Sequence, residues 1–193
     1  MDKRKIIVIT DGDRVAQKVV EKVASNVGGR SISFSGGNPT NAQGKEISAA
    51  IKEAAYDPVL VMVDDCGCRG EGKGETILRT LAADSDLEIL GVVAVASNTA
   101  GVDGVPITAS ITREGNIVNV PVDKDGHPEA AGHTKVEGDT VDVLSQLNIP
   151  VIIGVGDLGK MDDADLVEDG AKITTLAVQE VLKRSNFQNV TNS

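Results

Sequence analysis

The sequence predicts an α/β fold, with a doubly wound, mostly parallel five-stranded sheet and a β-hairpin insertion after the fourth strand. Short apolar runs alternate with stretches whose apolar residues recur at helical spacing through the first half of the chain. The run Val59–Val63 is apolar at every position, which is typical of a central strand covered on both faces. Acids and glycines follow it directly, where such a sheet usually carries its binding site.

The composition indicates one domain and excludes several classes of function. The chain has 193 residues, of which 40% are apolar and only 2% aromatic, so the core must be built from aliphatic side chains. A net charge of −10 argues against nucleic-acid binding and against adhesion to anionic lipid. The longest apolar stretch, Ile89–Ala96, is far below the ~18 residues that span a bilayer, so we expect a soluble protein without direct membrane insertion.

Four strands and three helices alternate in the first half of the chain. The strands are predicted at Lys5–Thr10, Arg30–Phe34, Val59–Val63 and Leu87–Ala96. The first helix carries an apolar stripe that includes Val15, Val19 and Val23, and it ends at a pair of glycines. A second helix is predicted near Ala42–Ala55, and a third contains Ile77–Ala82. This alternation predicts a parallel sheet with right-handed crossovers.

The second half of the chain lacks the regular alternation of strands and helices. Residues 97–137 contain too few apolar residues for a core of their own, so they are predicted as an insertion, with a hairpin formed by Ile107–Thr112 and Asn116–Val122. A short helix at Thr140–Leu147, a fifth strand at Ile149–Val155 and a closing helix at Lys172–Arg184 complete the fold. We therefore predict a single domain over residues 1–185 and a disordered tail over 186–193.

Two of the predicted strands each end in a pair of acids. Asp11 and Asp13 follow the first strand, and Asp64 and Asp65 follow the third. In the common strand order 2-1-3-4-5 these strands are neighbours, so the four carboxylates would gather at one edge of the sheet. Like charges at that distance are costly unless a cation lies among them, and oxygen ligands suit Mg²⁺ or Ca²⁺. The alternative is that these acids only cap the helices that follow.

The glycine-rich turn after Asp65 resembles part of a phosphate-binding loop. Residues 67–73 fit its first seven positions, but Gly74 stands where Ser or Thr should hold Mg²⁺, and the surrounding acids would repel a phosphate. We therefore interpret the turn as a glycine loop that surrounds a small ligand or only reverses the chain. The candidate ligand- or partner-binding residues are Asp11, Asp13, Asn38, Asp64, Asp65, Gly67, Gly70, Glu71 and Gly72. Asp11, Asp13, Asp64 and Asp65 are also the candidate metal ligands.

Two further patterns are set aside. Residues 154–159 have the glycine spacing of a dinucleotide-binding loop, but an acidic loop follows them and no further strand does, so we treat the match as a decoy. Cys66 and Cys68 lack further metal ligands nearby, and the adjacent acids should raise the pKa of either thiol. No catalytic residue is assigned.

The segment from Asp11 to Arg14 resembles the Asp-x-Asp-Arg signature of Toprim domains, which use Mg²⁺ in phosphodiester chemistry. That family also has a Glu after an earlier strand, and no such residue precedes Asp11 here. The resemblance leaves open a fold that is either flavodoxin/receiver-like or Toprim-like. It also gives an enzymatic alternative, a Mg²⁺-dependent phosphoryl or phosphodiester enzyme that uses Asp11, Asp13 and Asp64.

A longer series of motifs resembles one protein family along most of the chain. In order they are Thr10–Asp13, Gly36–Thr40, Tyr56–Met62, Asp64–Gly67, Gly70–Gly72 with Gly74–Glu75, Leu90–Ser97, Gly138–Thr140 and Ile149–Met161. From about Lys5 to Arg184 they resemble the stage V sporulation protein AE family, the soluble members of the SpoVA group of endospore-forming bacteria. The resemblance is weakest from Thr99 to Val136.

The resemblance implies a role in the machinery that moves calcium–dipicolinate into the developing spore and releases it during germination. It implies a soluble accessory or regulatory subunit, held peripherally at the spore inner membrane by other SpoVA proteins, in the developing and the dormant spore. It supplies no catalytic residues and no certain cofactor. The acidic, glycine-rich edge of the sheet is then expected to bind a cation, a partner protein or calcium–dipicolinate. The further alternative is that the protein is only a scaffold and its acids only cap helices.

Overall fold

The computed structural model describes residues 2–65, 72–97, 103–130, 132–138 and 140–187. Its strands are β1 Arg4–Ile9, β2 Arg30–Ser31, β3 Val59–Met62, β4 Leu87–Val95, β5 Val105–Pro106, β6 Ala109–Ile111, β7 Ile117–Val118, β8 Lys135–Val136 and β9 Ile152–Val155. Its α-helices are α1 Arg14–Asn26, α2 Gly44–Glu53, α3 Lys73–Ala83 and α4 Lys172–Arg184. Two short 3-10 helices cover Ser33–Ser35 and Asp142–Gln146.

The main sheet is mostly parallel, as the sequence predicts, but it has seven strands instead of five, in the order β2-β3-β1-β4-β9-β6-β7. The two additional strands are those of the predicted hairpin. Its first strand pairs in parallel with β9, with Ala109 opposite Ile153, and its second strand pairs antiparallel with the first. The hairpin therefore extends the main sheet, whereas the prediction treated it as an insertion beside a complete sheet.

The strand order also differs from the common order considered for the sequence. β3 lies between β1 and β2, so the short strand β2 is at the edge and β1 is central. The adjacency on which the site prediction depended is nevertheless present, because β1 and β3 pair in parallel with Ile9 opposite Met62. The polar composition of β2, Arg30 and Ser31, suits an edge strand that has one open side.

The second predicted strand, Arg30–Phe34, is shorter than expected. It stops after Ser31 and continues into a 3-10 helix that contains Phe34, whose side chain is 52% exposed. The Ser35 hydroxyl donates to the Ile32 carbonyl (2.6 Å) and accepts from the Met62 amide (2.9 Å). The Met62 amide of β3 is thus bound by a serine side chain and not by a backbone carbonyl of β2. Ser and Thr side chains can compete with backbone partners in this way.

The core has two layers, one on each face of the sheet. Ile7 and Ile9 face α1 and α4, whereas Ile6 and Val8 face α2 and α3. All four side chains are fully buried, since successive residues of a strand point to opposite faces and both faces are covered. β1 is therefore fixed from both sides, and the residue that follows it has a well-defined position.

In the last third of the chain, the structure corrects one predicted helix and agrees in part with the predicted tail. The helix predicted at Thr140–Leu147 is a 3-10 helix over Asp142–Gln146, since Thr140 has a φ of 61° that does not permit an α-helix to start there. The closing helix α4 has the predicted bounds. Of the predicted tail, Phe187 donates its amide to the Leu182 carbonyl (3.1 Å) and packs on the core, and residues 188–193 lie outside the described part of the chain. Within the described residues, no helix has the length and apolar character needed to cross a lipid bilayer.

Candidate functional site

A cavity of about 200 Å³ opens at the carboxyl ends of β1, β3, β4 and β9. Its polar lining includes Asp11, Asp13, Asn38, Asp64, Asp157 and Lys160. The cavity lies over the junction of β1 and β4, where the chain changes from adding strands on one side of β1 to adding them on the other. In open α/β sheets such a switch point is the usual position of a ligand.

The junction of β1 and β4 is closed by Thr10. Its amide donates to the Val93 carbonyl (3.1 Å), and its hydroxyl accepts from the Val95 amide (2.9 Å). The next residue, Asp11, is thereby placed at the cavity. The structure thus gives Asp11 a rigid support, because its neighbour is tied to both strands.

A close approach of two turns brings Asn38 to the same cavity. The Gly37 amide donates to the Gly12 carbonyl (2.6 Å), and a Cβ atom added at Gly12 would lie 2.6 Å from the Gly37 carbonyl oxygen and 3.1 Å from Cβ of Asp64. Any side chain at position 12 would therefore collide with the Gly37 backbone. Glycine at this position allows the turn after β1 and the loop containing Asn38 to pack together.

Asp13 has two roles in the structure. Its Oδ1 accepts from the amides of Val15 and Ala16, both at 2.8 Å, so it is the N-cap of α1, as the capping alternative predicted. Its Oδ2 lies 3.2 Å from Nζ of Lys160. Burial opposes ionisation, but the Ala16 amide and Lys160 outweigh it and lower the pKa of Asp13, so this carboxyl is ionised at neutral pH.

Lys160 and Asp157 belong to the site and were missed at the level of sequence. Nζ of Lys160 lies 3.0 Å from Asp157 and 3.2 Å from Asp13, and these two carboxylates raise the pKa of Lys160 against the opposing effect of burial. Both residues follow β9: Asp157 lies in the 154–159 region that was set aside as a decoy, and Lys160 comes directly after that region. The sequence did contain a signal for Asp157, because this acid follows a core strand at the same distance as Asp11 follows β1.

Asp11 has the most strongly altered acidity in the cavity. Burial, then the negative charges of Asp13, Asp157 and Asp64, raise the pKa of Asp11 to about 7, although the Asp13 amide donates to its Oδ1 at 3.2 Å and lowers the pKa in part. A carboxyl of this kind exchanges a proton around neutral pH.

Asp64 and Asp65, the two acids after β3, make different contacts. Asp64 is 3% exposed and lines the cavity, and its backbone is held by Thr40, whose amide donates to the Asp64 carbonyl and whose hydroxyl accepts from the Asp64 amide, both at 3.0 Å. Asp65 instead accepts from the amides of Gly74 (2.6 Å) and Glu75 (3.3 Å) at the start of α3. Asp65 is therefore a helix cap and is not part of the cavity lining.

The structure brings together Asp11, Asp13, Asn38 and Asp64 from the predicted set, and it separates Asp65 and Gly72 from them. Gly72 precedes α3, where an added Cβ would lie 2.0 Å from Oδ1 of Asp65. The predicted residues Gly67, Gly70 and Glu71 lie outside the described part of the chain, as do Cys66 and Cys68.

The metal site predicted at Asp11, Asp13, Asp64 and Asp65 stays a prediction. In residues 2–65, 72–97, 103–130, 132–138 and 140–187, no three carboxylate, imidazole or thiol groups are placed to hold one metal ion. The cavity offers an excess of hydrogen-bond acceptors and one carboxyl, Asp11, that can take or release a proton. It also has two ammonium groups: that of Lys160 is shared by Asp13 and Asp157, and that of Lys124 lies 2.8 Å from Asp125. No observation in this part of the molecule favours the phosphodiester chemistry that the Toprim resemblance suggested.

The comparison with protein families supports the resemblance drawn from the motifs. A family model named SpoVAE and described as stage V sporulation protein AE1 matches residues 5–185. No curated protein and no solved structure matches the chain significantly. The family match extends over β1 to α4 and includes every described residue that lines the cavity.

Proposed function

We propose, on the premise that this chain belongs to the SpoVAE family of stage V sporulation protein AE1, that it acts as a non-enzymatic accessory or regulatory subunit of the SpoVA machinery. The observation that carries this proposal is the family match over residues 5–185, which makes the chain a sporulation protein of the SpoVA group. The proposed task is to assist the movement of calcium–dipicolinate across the spore inner membrane, in contact with other SpoVA proteins at that membrane.

The cavity at the β1–β4 junction is the proposed binding site for a partner or ligand. Its position at the switch point of the sheet supports this assignment. Its charges support a positively charged group as the part that is recognised, since four aspartates line the cavity and only two lysines, Lys124 and Lys160, do. The Lys160 ammonium already bridges two of these carboxylates. Free dipicolinate, an anion, would be repelled unless calcium accompanied it.

The test is co-purification with the other SpoVA proteins. The tagged chain is co-expressed with them in membranes and recovered in mild detergent, as wild type, as Asp64→Ala and as the control Asp169→Asn. Asp64 is 3% exposed and lines the cavity, whereas Asp169 is an exposed acid that is not part of its lining. We expect wild type and Asp169→Asn to recover at least one SpoVA protein and Asp64→Ala to recover less. Recovery of none by the wild type would contradict the proposal.

A folding control separates loss of binding from loss of structure. Asp64 is buried, so its replacement can lower stability, and each variant is therefore checked by circular dichroism and by thermal unfolding before capture. If Asp64→Ala does not fold, Lys160→Met replaces it, because Lys160 is at the mouth of the same cavity and its side chain is 45% exposed. Equal recovery of SpoVA proteins by the folded cavity variant and by the control would mean that the interaction uses another surface.

A further inference from the structure

The two edges of the main sheet, in the part of the chain that the structure describes, differ in chemical character. β2 at one edge consists of Arg30 and Ser31, and charged or polar side chains of this kind discourage pairing with another strand. β7 at the other edge consists of Ile117 and Val118, and the Ile117 side chain is 50% exposed. The β7 edge is therefore the one that is open to a further strand.

The backbone of Ile117 faces away from the strand to which β7 is paired. β6 and β7 are antiparallel, with Ile111 opposite Ile117, and the Asn116 carbonyl accepts from the Thr112 amide (2.9 Å). The hydrogen-bonding groups of successive residues in a strand point to opposite sides, so the amide and the carbonyl of Ile117 point outward. This edge thus presents a donor and an acceptor on the same residue.

An apolar patch lies beside this edge, on the face of the sheet that α4 covers. Ile117 is opposite Ile111, which belongs to the same core layer as Ile173 of α4, and residues directly opposite each other share a face. Leu176 of that helix is 39% exposed, and a Cβ atom added at Gly115 would lie 3.2 Å from its Cδ1. The exposed side chains of Ile117 and Leu176 therefore lie on one face, next to the turn between β6 and β7.

This patch is uncharged in a strongly acidic protein. The chain has a net charge of −10 and 25% of its residues are charged, yet neither 116–122 nor 173–179 contains a charged residue. Leu176 also borders a groove of about 390 Å³, whose lining is uncharged apart from Lys172. Two copies of an acidic chain repel each other, so they approach most easily where acids are absent, whereas a basic partner is attracted to acidic surfaces. The charge distribution therefore favours a second copy of this chain as the occupant of the patch.

We propose that the β7 edge is a self-association surface, at which a second copy of this chain pairs antiparallel about Ile117 and continues the sheet across a two-fold axis. Ile117 of each copy donates its amide to the Ile117 carbonyl of the other, so the outward groups of both chains are satisfied. Both α4 helices lie on the same face of the continuous sheet, and Ile117 and Leu176 pack near the axis. The assembly closes at two chains, because its outer edges are the polar β2 strands.

This inference goes beyond the proposed function and does not depend on it, because it involves neither the cavity nor a SpoVA protein. The first test is sedimentation of the purified full chain at increasing protein concentration, under reducing conditions. We expect the wild type to reach twice the chain mass of 20.0 kDa. Ile117→Lys should stay monomeric, because it places two like charges opposite each other at the centre of the interface.

Phe34→Lys is the matched control for this test. Phe34 is an apolar side chain of similar exposure, 52%, next to the opposite edge strand, so this variant should dimerise like the wild type. A wild type that stays at 20.0 kDa at every concentration, or a dimer of Ile117→Lys, would overturn the proposal. Loss of the dimer in Phe34→Lys alone would place the interface at the β2 edge and would equally overturn it.

The salt dependence of the dimer tests the charge argument. Added salt screens the repulsion between two chains that each carry a net charge of −10, so the dissociation constant of the dimer should fall as the salt concentration rises. A dissociation constant that rises with salt would contradict the proposed interface, because it would mean that opposite charges hold the two copies together.

The second test is disulfide formation across the axis, in a chain whose Cys66 and Cys68 are replaced by Ser. In the proposed pairing the two Ile117 Cα atoms are about 5.5 Å apart, which a disulfide can span. Asn119 lies opposite Gly115 of the second copy, about 13 Å from the other Asn119. Mild oxidation should therefore give a covalent dimer with Ile117→Cys and little with Asn119→Cys. Equal yields would overturn the proposal, and this test decides if Ile117→Lys does not fold.

Discussion

Nζ of Lys160 lies 3.2 Å from Oδ2 of Asp13, a residue 147 positions earlier in the chain. This ion pair connects the segment after β9 to the start of α1 across the mouth of the cavity. Because Asp13 is at the same time the N-cap of α1, one carboxylate links helix initiation to the long-range contact.

Replacing Lys160 by Met should lower the free energy of unfolding by about 1 kcal/mol or less, because the two side chains are 45% and 31% exposed and solvent screens the pair. Denaturant unfolding at neutral pH measures the change. The same variant should raise the pKa of Asp13, which loses a cationic neighbour. Lys18→Met is the matched control, since Lys18 is an exposed lysine of α1. A loss equal in both variants would show that the ion pair adds nothing.

Stability should depend on pH through Asp11. Its pKa is about 7 in the folded chain and 3.8 for an ordinary aspartate, so between these values the folded state binds a proton that the unfolded state does not. Its contribution is therefore fully present below about pH 4 and is lost as pH rises through 7, with a slope of at most about 1.4 kcal/mol per pH unit.

Denaturant unfolding at several pH values between about 4.5 and 8 tests this dependence. Asp11→Asn should flatten the curve in that window, because the amide does not titrate. Carboxyls whose pKa is lowered, among them Asp13 and Asp84, contribute with the opposite sign and mainly below the ordinary aspartate pKa of 3.8. A wild-type stability that rises steadily from pH 4.5 to 7 would contradict the assignment of Asp11.

Asp165 should be among the most sensitive residues for stability. It is fully buried, and its carboxylate accepts from the amides of Gly159 (3.0 Å), Ile173 (2.8 Å) and Thr174 (3.0 Å) and from the Thr174 hydroxyl (2.6 Å). Asp165→Ala leaves these donors buried without their acceptor, at a cost of roughly 3 kcal/mol or more.

Thermal and denaturant unfolding measure this loss, with Asp169→Ala, an exposed acid of the same segment, as the control. A change in Asp165→Ala no larger than that of the control would mean that water or a shifted side chain can replace the carboxylate. That result would contradict the role of Asp165 as the anchor of the segment to the start of α4.

Gly12→Ala should disturb the site as well as the fold. The added methyl would lie 2.6 Å from the Gly37 carbonyl oxygen, which is backbone and cannot rotate away. We expect a loss of about 2 kcal/mol in unfolding free energy and a displaced Asn38 loop, visible as amide shift changes over residues 35–41 in NMR spectra. Gly132→Ala provides a comparison, because its Cβ meets no atom within 4 Å and only its φ of 112° is unfavourable. Equal losses would indicate that the close approach of the two turns is not what makes Gly12 necessary.

The sequence supported the main features of the fold because helical and strand periodicity is local. The position of the acids was predictable to the same extent, since Asp11 and Asp64 follow neighbouring strands. The separation of Asp65 from Asp64 follows from chain geometry, because successive residues of an extended chain point to opposite sides. Treating the four acids as one cluster overlooked this alternation.

Other features depended on contacts that no local pattern contains. The pairing of Ala109 with Ile153 joins segments 44 residues apart, as does the bond from the Ile152 amide to the Thr108 hydroxyl, so hairpin periodicity could not show where the hairpin docks. The contribution of Lys160 to the cavity likewise depends on how the segment after β9 folds back on α1.

The docking of the hairpin on β9 has a consequence for any shortened form of the protein. Removal of residues 105–136 would leave the buried, apolar strand Ile152–Val155 as an open edge with unpaired amides and carbonyls. Edges of this kind pair with other chains and lead to aggregation. Residues 105–136 therefore protect the β9 edge of the sheet from pairing with other molecules.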